Sequence, residues 1–217
     1  MFAVPEKTRN KIKLALSNID YSLYISMSSD FSISSWWHPA KDATVITYCF
    51  DIFLRSWDEN DNEIKTKVGE ALCKFVPGMD PNTGELTDML IMADAESEEL
   101  VNAINAVVND DGVLQDQYLD YGVGVLYIEK FYIKPEFREH QIGLTVFPII
   151  IQTLGSGIGV VTIIPLPKED DGIKNIKKED QRYNSKLSRM VNFLQYFGFQ
   201  QSSSDNDVWV RPFSCDW

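Results

Sequence analysis

The order of apolar and polar positions along the chain predicts a β-hairpin followed by alternating strands and helices. Two stretches rich in β-branched and aromatic residues, Thr44–Ser56 and Ile64–Val76, flank an Asp- and Asn-rich turn and predict the hairpin. The later predicted elements are a helix opening at Ser97, a strand over Val123–Ile133, a helix to about Leu154, a strand over Ile158–Ile164, a helix over Ser185–Phe197, and closing strands Phe199–Ser202 and Val208–Arg211. This order predicts an α/β fold (an α+β mixed sheet) with helices on its faces.

Residues 1–43 have a different pattern from the rest. An amphipathic stretch around Ile12–Ile19 predicts a short helix, and a Ser-rich stretch ending at Trp36 and Trp37 predicts an irregular arm. The paired tryptophans would pack on the core or form part of a substrate wall. At 217 residues we expect a single domain, with residues 44–217 as its core.

One long uncharged segment, Ile142–Pro167, has the length needed to cross a bilayer. Pro148 and the glycines of Gly155–Gly159 interrupt it, which favours a buried helix followed by a buried strand. Pro148 should kink that helix because proline lacks an N–H, and the glycine-rich part should form the turn that ends it. We therefore expect no membrane partner.

Charge and cysteine content narrow the classes of partner. Twenty Lys and Arg against 32 Asp and Glu give a net charge of −12, and no basic stripe is visible, so a nucleic-acid partner is not expected. An acidic surface favours cationic substrates. Three cysteines and two histidines without Cys-x-x-Cys spacing predict no metal site. Reduced thiols and an opening segment unlike a secretory signal predict a cytoplasmic protein.

The stretch with the clearest chemistry is Phe131–Leu144, where a predicted strand runs through a short loop into a helix. Free backbone N–H groups and the positive end of the helix dipole meet at such a point, which favours binding of an anion, typically a phosphate. Arg138 would add a charge-assisted hydrogen bond. Gly143 would let the backbone come close to the ligand.

These residues resemble the pyrophosphate loop of the GNAT superfamily of acyl-CoA N-acyltransferases. That loop reads Arg/Gln-x-x-Gly-x-Gly/Ala after a strand ending in an apolar-x-Val-x-Pro pattern, and here Arg138–Gly143 follows Phe131–Pro135. Phe193–Phe199 is similar to the Gly-Phe corner after the family's last helix. The resemblance implies a GNAT-like fold: a central, mostly antiparallel sheet with one splayed parallel pair and helices on both faces. The residues it implies for binding the cofactor are Phe131, Tyr132, Ile133, Arg138, Glu139, His140, Gln141, Ile142, Gly143 and Leu144.

The implied activity is transfer of an acyl group, most simply acetyl from acetyl-CoA, to an amine that attacks the thioester directly. Glu129 is the candidate base, as a lone carboxylate in an apolar strand, with a local ion pair to Lys130 as the alternative interpretation. Tyr196 and Tyr183 are weaker candidates, for the acid that protonates the departing thiolate, with a packing or surface role as the alternative interpretation of each. The acceptor would be a small-molecule amine or a protein lysine or N-terminus.

Three positions depart from the family pattern and support a second interpretation. Gln141 replaces the first loop glycine, Leu194 a frequent tyrosine and Leu187 a frequent asparagine. The alternative is a catalytically degenerate GNAT-fold module that binds acyl-CoA or another protein. Members of the family often dimerise, so a homodimer is an open alternative. The segment 168–182 and the arm with Trp36 and Trp37 are the expected determinants of substrate choice.

Overall fold

The computed structural model describes residues 22–31, 45–58, 60–80, 82–169, 174–202 and 207–214. The predicted helix around Ile12–Ile19, the pair Trp36 and Trp37, and Cys215 lie outside these residues.

Seven strands form one mixed sheet in the described part of the chain. They are β1 (Ser22–Phe31), β2 (Ile46–Trp57), β3 (Glu63–Val76), β4 (Gly124–Ile133), β5 (Ile158–Ile163), β6 (Gln200–Gln201) and β7 (Trp209–Pro212). The spatial order is β1-β2-β3-β4-β5-β7-β6, and every neighbouring pair is antiparallel except β4 with β5. The predicted hairpin and the mixed sheet with one parallel pair are confirmed.

Helices cover both faces of this sheet. They are α1 (Met89–Asp94), α2 (Glu98–Asn105), α3 (Ile142–Leu154) and α4 (Gln181–Tyr196), with 3₁₀ helices over Asp116–Tyr118 and Pro135–His140. Buried residues of α1 and α2 share one apolar cluster with Val125 and Tyr127 of β4. Buried residues of α3 and α4 share a second cluster with Leu126 and Ile128. Successive side chains of a strand point to opposite faces of the sheet, so alternate residues of β4 belong to the two clusters.

The uncharged segment divides as predicted into a buried helix, α3, and a fully buried strand, β5. Pro148 lies inside α3, and Gly157 makes the turn to β5 with a φ of 83°. No helix among the described residues combines the length and the apolar character that a bilayer crossing demands.

The prediction of an irregular arm is wrong for Ser22–Phe31. These residues form β1, which pairs with β2 along its whole length, from Ser22 opposite Arg55 to Phe31 opposite Ile46. The sequence alternates Leu23, Ile25 and Met27 with polar residues and so has the period of a strand. The serines in this stretch favoured the prediction of an irregular segment.

The predicted continuous helix after Pro135 is also wrong. A 3₁₀ helix ends at His140, and Gln141 then adopts the left-handed conformation (φ 57°) before α3 begins. The helix α1 was not predicted. Its N-cap is Asp88, whose side chain accepts from Leu90 and Ile91 N–H. α4 begins four residues earlier than expected, where Asp180 accepts from Arg182 N–H.

Candidate functional site

β4 and β5 separate part of the way along their length and leave a cavity between them. They pair only from Gly124 opposite Ile158 to Ile128 opposite Ile163, where β5 ends. β4 continues to Ile133 with β3 on one side and, among the described residues, no strand on the other. A cavity of about 480 Å³ occupies this gap.

A β-bulge at the point of separation reorients the side chains of β4. Leu72 pairs with Lys130 and Cys73 with Ile128, so Glu129 is the extra residue. Tyr127 and Phe131 are four residues apart and would lie on the same face of a regular strand. Tyr127, before the bulge, belongs to the cluster under α1 and α2, whereas Phe131, after the bulge, packs on the cluster under α3 and α4. The bulge therefore turns Phe131 toward the cavity wall.

Aromatic rings form the apolar wall of the cavity. Phe147 lies 5.0 Å from Phe131 and 5.1 Å from Phe193 between ring centroids, and Phe131 and Phe193 stack at 5.9 Å. Gly143 faces this group: a Cβ there would lie 3.5 Å from Phe131 and 3.6 Å from Phe193. Both distances are ordinary van der Waals contacts, so a methyl group would fit at this position. The start of α3 therefore lies against the aromatic wall.

The N-terminus of α3 opens at the rim of the cavity. Its N-cap, Gln141, makes no side-chain capping hydrogen bond, and Gln141, Gly143 and Leu144 line the cavity. The first-turn N–H groups of a helix have no intrahelical acceptor and suit an anion. Arg138 lies beside them, with Nε donating to Ile133 O at 2.8 Å and the guanidinium 5.5 Å from the Tyr132 ring centroid.

Most of the residues implied by the resemblance meet at this cavity. Those that line it are Glu129, Phe131, Tyr132, Ile133, Arg138, Gln141, Gly143 and Leu144. Ile142 is instead buried in the core, and His140 is not among the lining residues. The side chain of Glu139 lies outside what the structure describes.

The candidate acids do not reach the cavity. Tyr196 is 67% exposed and packs edge-on against Phe197. Leu194, two residues earlier, is buried and lines the cavity. Tyr183 and Leu187 line a second cavity of about 330 Å³ on another face of α4.

Most of the opposite wall was not predicted; the exceptions are Lys168 and Glu169, which belong to the segment 168–182 expected to determine substrate choice. The wall consists of Ile163 at the end of β5, then Ile164, Leu166, Pro167, Lys168 and Glu169, and Lys186, Arg189, Met190, Phe193 and Leu194 on α4. The α4 residues follow helical spacing, so the sequence indicated that they share one face. It did not indicate which element this face would meet.

The cavity has the opposite charge balance from the chain as a whole. Five cationic side chains line it, Lys130, Arg138, Lys168, Lys186 and Arg189, against two carboxylates, Glu129 and Glu169. The complete sequence carries a net charge of −12. The cations are therefore concentrated where a ligand would enter, which favours an anionic ligand.

Ion pairs hold the charged side chains around the bulge. The Oε2 atom of Glu129 lies 3.2 Å from Lys74 Nζ, which also lies 3.5 Å from Glu96. Lys130 pairs with Glu70, so the predicted local pair between Glu129 and Lys130 is wrong. The bulge and the strand register bring partners from β3 closer than the chain neighbour.

Two pKa shifts follow from these surroundings. Hydrogen bonds from Lys130 and then Lys67 lower the pKa of Glu70 to about 2, so Glu70 stays ionised beside the cavity. Burial raises the pKa of Tyr127, with smaller contributions from Glu129 and Glu99, so its hydroxyl stays protonated.

Comparisons with protein families, with characterised proteins and with solved structures found no match. Within the described residues, His, Cys, Asp and Glu side chains form no group of three or more that could hold a metal ion.

Proposed function

We propose that this protein is an acyl-CoA-dependent N-acyltransferase of the GNAT type, with acetyl-CoA as the simplest donor. The observation that carries the proposal is the cation-lined cavity at the separation of the parallel pair β4 and β5, with the start of α3 at its rim. Coenzyme A combines a diphosphate, a further phosphate and a long arm. A site for it needs both cations and an extended slot.

The diphosphate would bind at the start of α3. The first-turn N–H groups, Arg138 and Arg189 supply donors there without requiring a basic surface. Arg189 stands one helical turn before Phe193, which approaches Gly143 at the start of α3. Both arginines line the cavity into which the start of α3 opens.

The pantetheine arm would lie along β4. The arm contains two amides, and a strand edge with no neighbouring strand offers main-chain groups that pair with amides. The edge of β4 beyond Ile128 faces the cavity, and the ring of Phe131 provides apolar contact. The thioester would then lie near Glu129.

Glu129 would act as the base of the reaction. The amine nitrogen attacks the thioester carbonyl, the new C–N bond forms, a main-chain N–H stabilises the oxyanion, and the C–S bond breaks to release the thiolate. The proton lost by the nitrogen passes to the Glu129 carboxylate. Tyr196 has no part in this proposal, because it faces solvent outside the cavity.

Adding acetyl-CoA to the full chain tests the donor site. At a hundred times its Kd the ligand should stabilise the protein by about 2.7 kcal/mol. This corresponds to a rise in Tm of about 5–10 °C for a chain of this size. Acetylpantetheine has the same thioester but no diphosphate and should give a much smaller rise. No rise with millimolar acetyl-CoA would refute the proposal.

A pair of arginine variants locates the diphosphate. Arg138→Gln should weaken acetyl-CoA binding about tenfold, because it removes a charge-assisted contact. Arg55→Gln removes the same charge from β2, where Arg55 pairs with Glu63 and does not line the cavity. The control should bind as the wild type does, and equal losses in the two variants would contradict the assignment.

Gln141→Gly should raise both stability and acetyl-CoA affinity. A residue with a side chain in the left-handed conformation destabilises the folded state by about 1–2 kcal/mol, and glycine removes this cost. Glycine also gives the unfolded chain more conformational freedom, which offsets about 0.4–1 kcal/mol of the gain. The free energy of unfolding in urea should therefore rise by up to about 1.5 kcal/mol. Gln141→Ala is the control: it also removes side-chain bulk at the cavity rim but keeps the backbone cost, so only affinity should rise.

The second candidate function is that of a module that binds acyl-CoA but has lost catalysis, and one observation supports it. Leu194 lines the cavity where the family often has tyrosine, and Tyr196 and Tyr183 lie elsewhere. A degenerate module that only binds acyl-CoA would show the Tm rise without release of thiol from acetyl-CoA across a panel of amines. Thiol release with any of these amines supports the transferase.

A further inference from the structure

Lys74 is the ion-pair partner that the sheet brings to Glu129. The register of β3 with β4 places Lys74 opposite Tyr127, and Glu129 follows two residues further along β4. Lys74 Nζ lies 3.2 Å from Glu129 Oε2. The Lys74 side chain is only 12% exposed, so solvent and salt screen this pair less than a pair on the open surface.

Glu96 contacts the same ammonium group. Its Oε2 lies 3.5 Å from Lys74 Nζ, and its side chain is 15% exposed. Glu96 belongs to the turn between α1 and α2, where its own N–H and that of Ser97 both donate to Ala93 O. Lys74 is therefore held by two carboxylates, one on a hydrogen-bonded turn and one at the bulge of β4.

The two oxygens of the Glu129 carboxylate have different surroundings. Oε2 is buried and lies against Lys74. The Glu129 side chain as a whole is 35% exposed and lines the cavity. The oxygen of this carboxylate that a ligand in the cavity can reach is therefore Oε1.

We propose that Lys74 is a positioning residue for acyl transfer: it binds Glu129 Oε2 and so presents Oε1 to the acceptor amine. The inference rests on the proposed transferase function and names the atom that receives the proton. The amine nitrogen attacks the thioester carbonyl, the C–N bond forms, the C–S bond breaks to release the thiolate, and the proton of the nitrogen passes to Oε1. Lys74 is not among the lining residues of the cavity and acts only through Glu129.

Substitution of Lys74 separates positioning from cofactor binding. Lys74→Met keeps a side chain of similar length without the charge. It should lower kcat for thiol release about tenfold to a hundredfold, because a displacement of about 1 Å can cost about a hundredfold in rate. The rise in Tm with acetyl-CoA should stay as in the wild type, which also shows that the variant is folded. Lys74→Arg keeps the charge and should recover most of the rate.

Lys67→Met is the matched control. Lys67 also lies on β3 and also contacts two carboxylates, Asp51 at 2.7 Å and Glu70 at 2.8 Å. It makes no ion pair with Glu129 and does not line the cavity. This variant should match the wild type in kcat and in acetyl-CoA binding. A decrease in kcat equal to that of Lys74→Met would contradict the positioning role.

Crystal structures distinguish failure of this inference from failure of the transferase. In Lys74→Met the Glu129 carboxylate should turn away from the position that it has in the wild type. An unchanged Glu129, or an unchanged kcat, overturns the positioning role and leaves the transferase intact. A reoriented Glu129 supports the role even where the wild type releases no thiol, in which case it is the transferase that fails. Should Lys74→Met not fold, Lys74→Met combined with Glu96→Gln, which removes one of the two unpaired carboxylates, takes its place.

Discussion

Replacing Phe147 by alanine is expected to destabilise the protein by about 3–5 kcal/mol, the usual cost of removing a large buried aromatic side chain. Phe147 is 1% exposed, and its ring contacts those of Phe131, Phe193, Phe197 and Phe199 at centroid distances of 5.0 to 6.1 Å. Urea unfolding at constant temperature would measure the loss. A typical domain has only about 5–15 kcal/mol of stability, so the variant should be close to unfolding.

Tyr196→Ala is the control for this change. It also removes an aromatic ring near Phe197, but that ring is 67% exposed. The expected loss is below about 1 kcal/mol, because surface substitutions generally have small effects. A loss of stability in Phe147→Ala as small as the loss expected for Tyr196→Ala would mean that the aromatic wall does not stabilise the fold.

Replacing Glu129 by glutamine should lower the rate of acyl transfer at pH 7 by about a hundredfold to ten-thousandfold, the contribution typical of a general base. Glutamine keeps the shape of the side chain but cannot accept the proton. The ratio of wild-type to variant rate should shrink as pH approaches about 10, because the substrate amine then arrives uncharged. A pH–rate profile of thiol release would measure this.

Glu96→Gln is the matched control for Glu129→Gln. Both carboxylates contact Lys74, at 3.5 and 3.2 Å, but only Glu129 lines the cavity. Each variant leaves Lys74 one carboxylate partner, so both should fold. Unchanged turnover of Glu129→Gln at every pH, or an equal decrease in Glu96→Gln, would exclude Glu129 as the base.

The part of the candidate site that could be predicted is the part that is continuous in sequence. Phe131–Ile133 and Arg138–Leu144 are joined by one short turn, so local patterns bring most of them to one place. The prediction erred where a single residue changed the geometry. Gln141 in the left-handed conformation separates the 3₁₀ helix from α3 and directs Ile142 into the core.

The rest of the site depends on contacts between distant residues. The partner of Glu129 is Lys74 on β3, and the wall opposite Phe131 comes from α4. The net charge of the chain did not predict the charge of the cavity lining, because a sum over all residues has no spatial information. The cationic lining of the cavity appears only once five side chains from separate elements are brought together.

The amino-acid sequence by itself determined the hairpin, the strand–loop–helix unit and the amphipathic faces, because apolar periodicity and turn chemistry act over a few neighbouring residues. Only the tertiary structure decided that β4 separates from β5 after Ile128, that the bulge at Glu129 reverses the side-chain alternation of β4, and that Tyr196 faces solvent. Strand register and helix rotation are set by packing between elements far apart in the chain, and a one-residue change in register reverses every side chain that follows.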